Sequence, residues 1–187
     1  MRIRNTDQHW GGAAQAFHWL IALLIVAQAA LGWYMTTLKL SPTKFELFAL
    51  HKSLGITVLT LALLRLLWRL SNPTPALPAH MTRTERWLAH GSHTALYLLL
   101  FAMPVSGYVI NSATNFPLEY FGLFPIPNLT PESDSLKNAA AEVHETLVWI
   151  LVAVLALHVA GALKHHFVDR DDVLQRMLPR LKRRTLP

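Results

Sequence analysis

Four histidines, His18, His51, His144 and His158, lie inside or at the mouth of long apolar stretches. Imidazole nitrogen is a ligand for iron and zinc, and a bilayer tolerates an ionisable side chain badly, so an intramembrane histidine marks a functional site. His144 and His158 share one stretch, fourteen residues apart. At 1.5 Å per residue and 3.6 residues per turn they fall on one face of a helix, about 21 Å apart along its axis. One helix can then hold two metal groups, one above the other. The chain has ten histidines and no cysteine, which excludes disulfides, thiolate zinc sites, iron–sulfur ligation and covalently attached haem.

Hydrophobic residues make up 52% of the 187 and charged residues 15%, and the charges gather at the ends of apolar runs. Four runs, roughly 13–35, 45–68, 87–110 and 143–163, are long enough to cross a hydrocarbon core, which takes about 20 helical residues. The expected fold is all-α: an integral membrane four-helix bundle, with residues 1–187 forming one domain. The first run follows arginines as a secretory signal would, but it is longer than a signal core and contains His18 and Gln28, which points to a retained anchor. Prolines at 73, 75 and 78 make the connection between the second and third runs extended. The longest connection, 111–142, carries Pro117, Pro125, Pro127 and Pro131.

The formal charge of +6 suggests nucleic acid only in a soluble chain; here its distribution sets orientation. With a cytoplasmic N-terminus, Arg2, Arg4, Arg65, Arg69, Arg83, Arg86 and the seven basic residues from Lys164 to Arg184 lie inside, 13 of the 17. Lys39, Lys44, Lys52 and Lys137 lie outside. Both termini are therefore expected in the cytoplasm. The basic tail is sufficiently explained as a topology signal that also attracts anionic lipid.

Topology sorts the histidines by depth. The first helix enters from inside, so His18 is low; the second and fourth enter from outside, so His51 and His144 are high and His158 is low. Level pairs follow: His51 with His144 at the outer side, His18 with His158 at the inner side. Each pair can supply both axial nitrogens of a haem b, which leaves no open position on the iron and suits electron transfer rather than oxygen binding. Zinc competes for such residues, but two nitrogens per level fall short of its usual four ligands. Any one of the four, taken alone, is also explained as an interfacial polar residue.

Several segments carry a resemblance. They are Phe17-His18-Trp19-Leu20, His51-Lys52-Ser53-Leu54-Gly55, Arg65-Leu66-Leu67-Trp68-Arg69 and Ala89-His90-Gly91-Ser92-His93 with Tyr97. Pro104-Val105-Ser106-Gly107, His144-Glu145-Thr146-Leu147, His158 and His165-His166 complete the set. In this order and spacing the chain resembles the bacterial cytochrome b561 family of four-helix dihaem membrane proteins over nearly its whole length. The family's ligand pattern falls on His18, His51, His144 and His158, the four that depth had selected.

The resemblance implies two non-covalent haems b, a location in the bacterial inner membrane, and an oxidoreductase activity. Its members include superoxide oxidases, which take electrons from superoxide and reduce ubiquinone. Lys52 and Lys137 are then candidates for attracting the anion, opposed by Glu46, Glu142 and Glu145, and snorkelling explains either lysine equally well. The gap from Lys137 to His144 is longer than expected of superoxide-oxidising members. Arg65 and Arg69, four apart, are candidates for haem propionates. His90, His93 and Tyr97 form one stripe of the third helix and are candidates for the quinone or for a propionate. His9, His80, His165 and His166 read as interfacial. Two other functions stay open: an electron-conduit subunit fed by a dehydrogenase or soluble redox protein, and a haem-free structural or transport bundle.

Overall fold

Each long helix after the first begins where the sequence supplies a cap for its unpaired backbone N–H groups. In a computed structural model describing residues 2–179, α1 spans Gly12–Thr37, α2 Pro42–Leu70, α3 Arg83–Ala113 and α4 Asp134–Lys164. Ser41 Oγ accepts the Lys44 N–H with Pro42 in the first turn of α2, Thr82 and Glu85 form a reciprocal capping box for α3, and Ser133 Oγ accepts the Leu136 N–H for α4. These four helices are long and apolar enough to cross a membrane. Arg180, Lys182, Arg183 and Arg184 of the basic tail lie outside the described residues.

The helices outrun the apolar stretches, most of all at α4, which starts at Asp134 rather than near 143. Residues 134–142 are too polar to read as membrane, yet they contain Leu, Lys, Glu and three alanines, all strong helix formers, behind a serine cap. The connection from α3 to α4 is correspondingly shorter, and it contains a structure not expected from its prolines. Strands β1 (Leu118–Tyr120) and β2 (Phe124–Ile126) pair antiparallel. Phe121 and Gly122 between them take the left-handed backbone that a tight hairpin turn demands. The hairpin docks on α2: Ser53 Oγ accepts the Phe121 N–H at 3.0 Å, and the Thr57 hydroxyl meets the Tyr120 hydroxyl at 3.1 Å. Ser53 and Thr57 lie about 200° and 240° around the helix from His51, at about 100° per residue, so the hairpin buttresses the face of α2 turned away from that imidazole.

α3 packs most extensively on α4, α1 on α2, and α2 on α3. The small core is Ile21, Val58, Ala62 and Leu100. Leu23, Val26, Trp33, Leu63, Leu98, Trp149 and Val152 face outward, the reverse of a soluble protein and the arrangement a lipid solvent favours. At one end the chain ties itself together. Gln15 Nε2 donates to the Arg176 carbonyl at 2.9 Å, Trp19 Nε1 to the Met177 carbonyl at 2.8 Å, Arg176 Nη1 to the Ala76 carbonyl at 2.9 Å, and Asn5 Nδ2 to the Pro73 carbonyl at 3.0 Å. The N-terminal segment, the α2–α3 connection and the short helix α5 (Val173–Met177) thus share one side of the bundle.

Candidate cofactor site

The four depth-sorted histidines meet in pairs across the bundle. His51 on α2 and His144 on α4 have ring centres 6.4 Å apart, with planes at 76°. His18 on α1 and His158 on α4 have ring centres 6.2 Å apart, at 57°. Two imidazoles on opposite sides of one metal ion, each bonded through nitrogen at about 2.0 Å, hold their centres roughly 6.3 Å apart. Both separations match that span.

At the level of His51 the surroundings are made for an imidazole pair. His144 Nδ1 lies 2.9 Å from Ser106 Oγ, and the Ser106 hydroxyl donates to the Met103 carbonyl at 2.8 Å. With its own proton committed, Ser106 can only accept from the ring, so Nδ1 carries the hydrogen and Nε2 presents its lone pair, the tautomer needed for metal ligation. Two glycines leave room for the rings: a Cβ at Gly107 would stand 3.3 Å from His144 Cε1, and one at Gly32 would stand 3.4 Å from His51 Cε1. His51 is held through its backbone, its carbonyl accepting from Gln28 Nε2 at 2.9 Å. Its Nδ1 is buried with no hydrogen-bond partner among the described residues.

The other level is more crowded. His93 on α3 stands 5.4 Å from the His158 ring, too close to share one metal with it in the same opposed manner, so His18 is the better-matched partner. Arg65 Nη2 lies 3.3 Å from His18 Nδ1. A guanidinium only donates, so Nδ1 accepts here and Nε2 holds the proton. Ligation of a metal through Nε2 would need that proton on Nδ1 and Arg65 turned away. The Arg65 and Arg69 guanidiniums stack over Tyr97, 5.4 Å and 5.5 Å from its ring centre. His90 is exposed, three residues before His93 on the same helix. The donor type and the spacing of each pair fit a b-type haem.

The two candidate lysines differ in surroundings. Lys52 is half-buried beside His51; its Nζ donates to Asn111 Oδ1 at 2.9 Å and sits 4.9 Å from the Phe116 ring centre. Among the described residues no carboxylate pairs with it. Lys137 lies on α4 itself, seven residues before His144, hence on the same face and about 10.5 Å away along the axis. Its ammonium pairs with Asp134 Oδ1 at 2.5 Å, so its field is locally cancelled. Sequence reading assigned no role to Ser106, though the serine was visible within a recognised segment; its aim at His144 depends on the packing of α3 against α4. It also placed His80 and His165 at the interface without a partner, whereas both face Asp171.

Comparison with known proteins adds a family. Residues 9–180 match the model described as prokaryotic cytochrome b561. The chain is 39% identical over 180 residues to cytochrome b561 homolog 2 of Escherichia coli (strain K12), covering 95% of each chain. It is 31% identical over 166 residues to the probable superoxide oxidase CybB of Yersinia pestis, covering 87% of this chain and 92% of that one. It is 30% identical over 173 residues to cytochrome b561 homolog 1 of Escherichia coli (strain K12), covering 88% and 94%.

Proposed function

Because the chain belongs to the prokaryotic cytochrome b561 family, we propose that it is a dihaem cytochrome of the bacterial inner membrane that carries electrons from superoxide on the outer side to ubiquinone. Both termini lie in the cytoplasm, with His18 and His158 holding the inner haem b and His51 and His144 the outer one. The observation that supports two haems is the recurrence of one ring separation, 6.4 Å and 6.2 Å, at two depths. The substrate draws its support from the relative named as a probable superoxide oxidase.

Haem b, held by these histidines, would supply reversible one-electron transfer. Two superoxide anions each give up one electron and leave as dioxygen; ubiquinone takes up the two electrons and two protons to become the quinol. The residues serve that stoichiometry in separate ways. Lys52, an uncompensated cation next to His51, raises the local concentration of the anionic substrate. Ser106 keeps the proton of His144 on Nδ1. Arg65 and Arg69, both stacked over Tyr97, would hold the carboxylates of the inner group through charge-assisted hydrogen bonds. His93, 5.4 Å from the His158 ring, and Tyr97 offer a ring nitrogen and a hydroxyl to a quinone headgroup, with His90 at the exposed end of the same stripe.

Stopped-flow mixing of the purified protein with superoxide tests this function. Rapid haem reduction, followed by reoxidation on adding a short-chain ubiquinone, is the expected result. Haems that stay oxidised under superoxide and are reduced only by a protein donor would replace superoxide with a redox partner and make the protein a conduit subunit. Ser106→Ala gives a finer check. Losing the acceptor for Nδ1–H makes His144 a weaker donor, so the outer midpoint potential rises on the order of 10–50 mV, the one-electron equivalent of up to one net hydrogen bond. A redox titration in which neither potential moves would detach Ser106 from the site.

A further inference from the structure

The end of α4 builds a second cluster that the electron path does not use. After Lys164 the helix loosens into one π turn, His165–Asp169, and Arg170 takes a left-handed backbone, φ 54° and ψ 37°. Wide turns of this kind recur at functional sites, and a non-glycine residue in that conformation is a local cost that packing must repay. The consequence is a reversal: the Asp171 N–H returns to the His165 carbonyl at 3.0 Å, and the Asp171 carboxylate is aimed at the His165 ring. Asp171 Oδ1 accepts the Val173 N–H at 3.0 Å, which leaves Oδ2 for the histidines. His165 Nδ1 is 2.7 Å from it, and His80 Nε2, reaching across from the α2–α3 connection, is 3.2 Å from it.

One atom from each of the three side chains lies within 4.8 Å of the others. Ligand atoms around a tetrahedral ion with bonds of about 2.0 Å are roughly 3.3 Å apart, so side-chain adjustments alone close the set. Charged side chains surround the three. Glu85, Asp169 and Asp171 gather here against Lys164, whose ammonium lies 2.7 Å from Glu85 and 2.7 Å from Asp169. Arg86, which donates to the Ala79 carbonyl beside His80 at 2.9 Å, is a further cation next to this group. Two imidazole nitrogens and one carboxylate suit zinc and other borderline transition metals rather than magnesium or calcium, which favour oxygen alone. Asp171 and His165 are nearly buried, with side-chain exposures of 9% and 10%, while His80 at 56% leaves an entry from solvent.

We propose that His80, His165 and Asp171 bind one divalent transition-metal ion, zinc being the best match, which clamps the α2–α3 connection to the end of α4. The site is separate from the four histidines of the haem pairs and stands irrespective of which donor reduces the protein.

Tag-free, haem-loaded protein in detergent, dialysed against buffered zinc with excess magnesium and assayed by elemental mass spectrometry, tests the proposal. The wild type and His166→Ala should retain one zinc per chain. His165→Ala and Asp171→Asn should each weaken zinc by more than the 10–100-fold usual for losing an outer-shell partner. His80→Ala removes a mainly exposed side chain and should weaken zinc in the same direction with the visible haem spectrum unchanged, which separates ligand loss from misfolding. Calorimetry in two buffers should detect protons released on binding to the wild type. Absence of zinc from the wild type, or equal retention by His80→Ala and the wild type, would overturn the site and leave an ion-pair network.

Discussion

Replacing His158 with alanine should lower haem content from two per chain to one, removing the inner haem and leaving the outer spectrum in place. His144→Ala should do the reverse, and the double variant should hold none. The selectivity follows from geometry: each ring pairs across the bundle with one partner at its own depth, His18 at 6.2 Å and His51 at 6.4 Å. Either single loss should also cut transfer from superoxide to quinone by orders of magnitude, because the two levels lie in series. His93→Ala is the contrasting case. Its ring is nearer His158, at 5.4 Å, yet too near for opposed ligation, so that variant should keep both haems. Haem analysis with redox titration of the four variants checks the scheme. Loss of both haems from folded His158→Ala protein, or loss of the inner haem on removing His93, would break the pairing.

Lys52→Gln should slow haem reduction by superoxide about tenfold, and Lys52→Glu further, since local charge steers a small anion by factors of roughly 10–10³. Lys52 carries this effect because it stands next to His51 with only an amide and an aromatic face against it. Lys137→Gln should change the rate by less than about twofold, its charge being already opposed by Asp134 at 2.5 Å. Lys52→Arg keeps the charge and separates steering from the structural contact to Asn111. Rates measured over a range of ionic strength should converge as salt rises, because screening shortens the reach of the field to about 8 Å at physiological strength. Identical rates for Lys52→Gln and the wild type at low salt would remove the lysine from substrate capture.

The spans and the histidine pairs were legible in the sequence because both express solvent physics. Apolar runs of membrane length leave few choices, and a histidine within them has a depth that follows from topology alone. The start of α4 was not legible from hydropathy, since Asp134 to Glu142 form helix by capping and propensity while remaining polar. Lys137 illustrates the difference: the six residues between it and His144 make a longer gap than superoxide-oxidising members lead one to expect, but two turns of helix return it to the same face. The hairpin was hidden because its prolines argue against strands, and its docking depends on Ser53 and Thr57 of a distant helix. Ser106 and Arg65 were visible as residues yet not as partners of His144 and His18, because those contacts arise only when helices pack. The same holds for Asp171, whose approach to His165 requires the reversal at Arg170 that no periodicity announces.

Pyridine haemochrome analysis of the detergent-purified wild type, set against its protein concentration, tests the dihaem assignment most directly. Two haems b per chain are expected, with two resolved potentials on titration. A single haem per chain, or a colourless folded bundle, would contradict ligation at both levels.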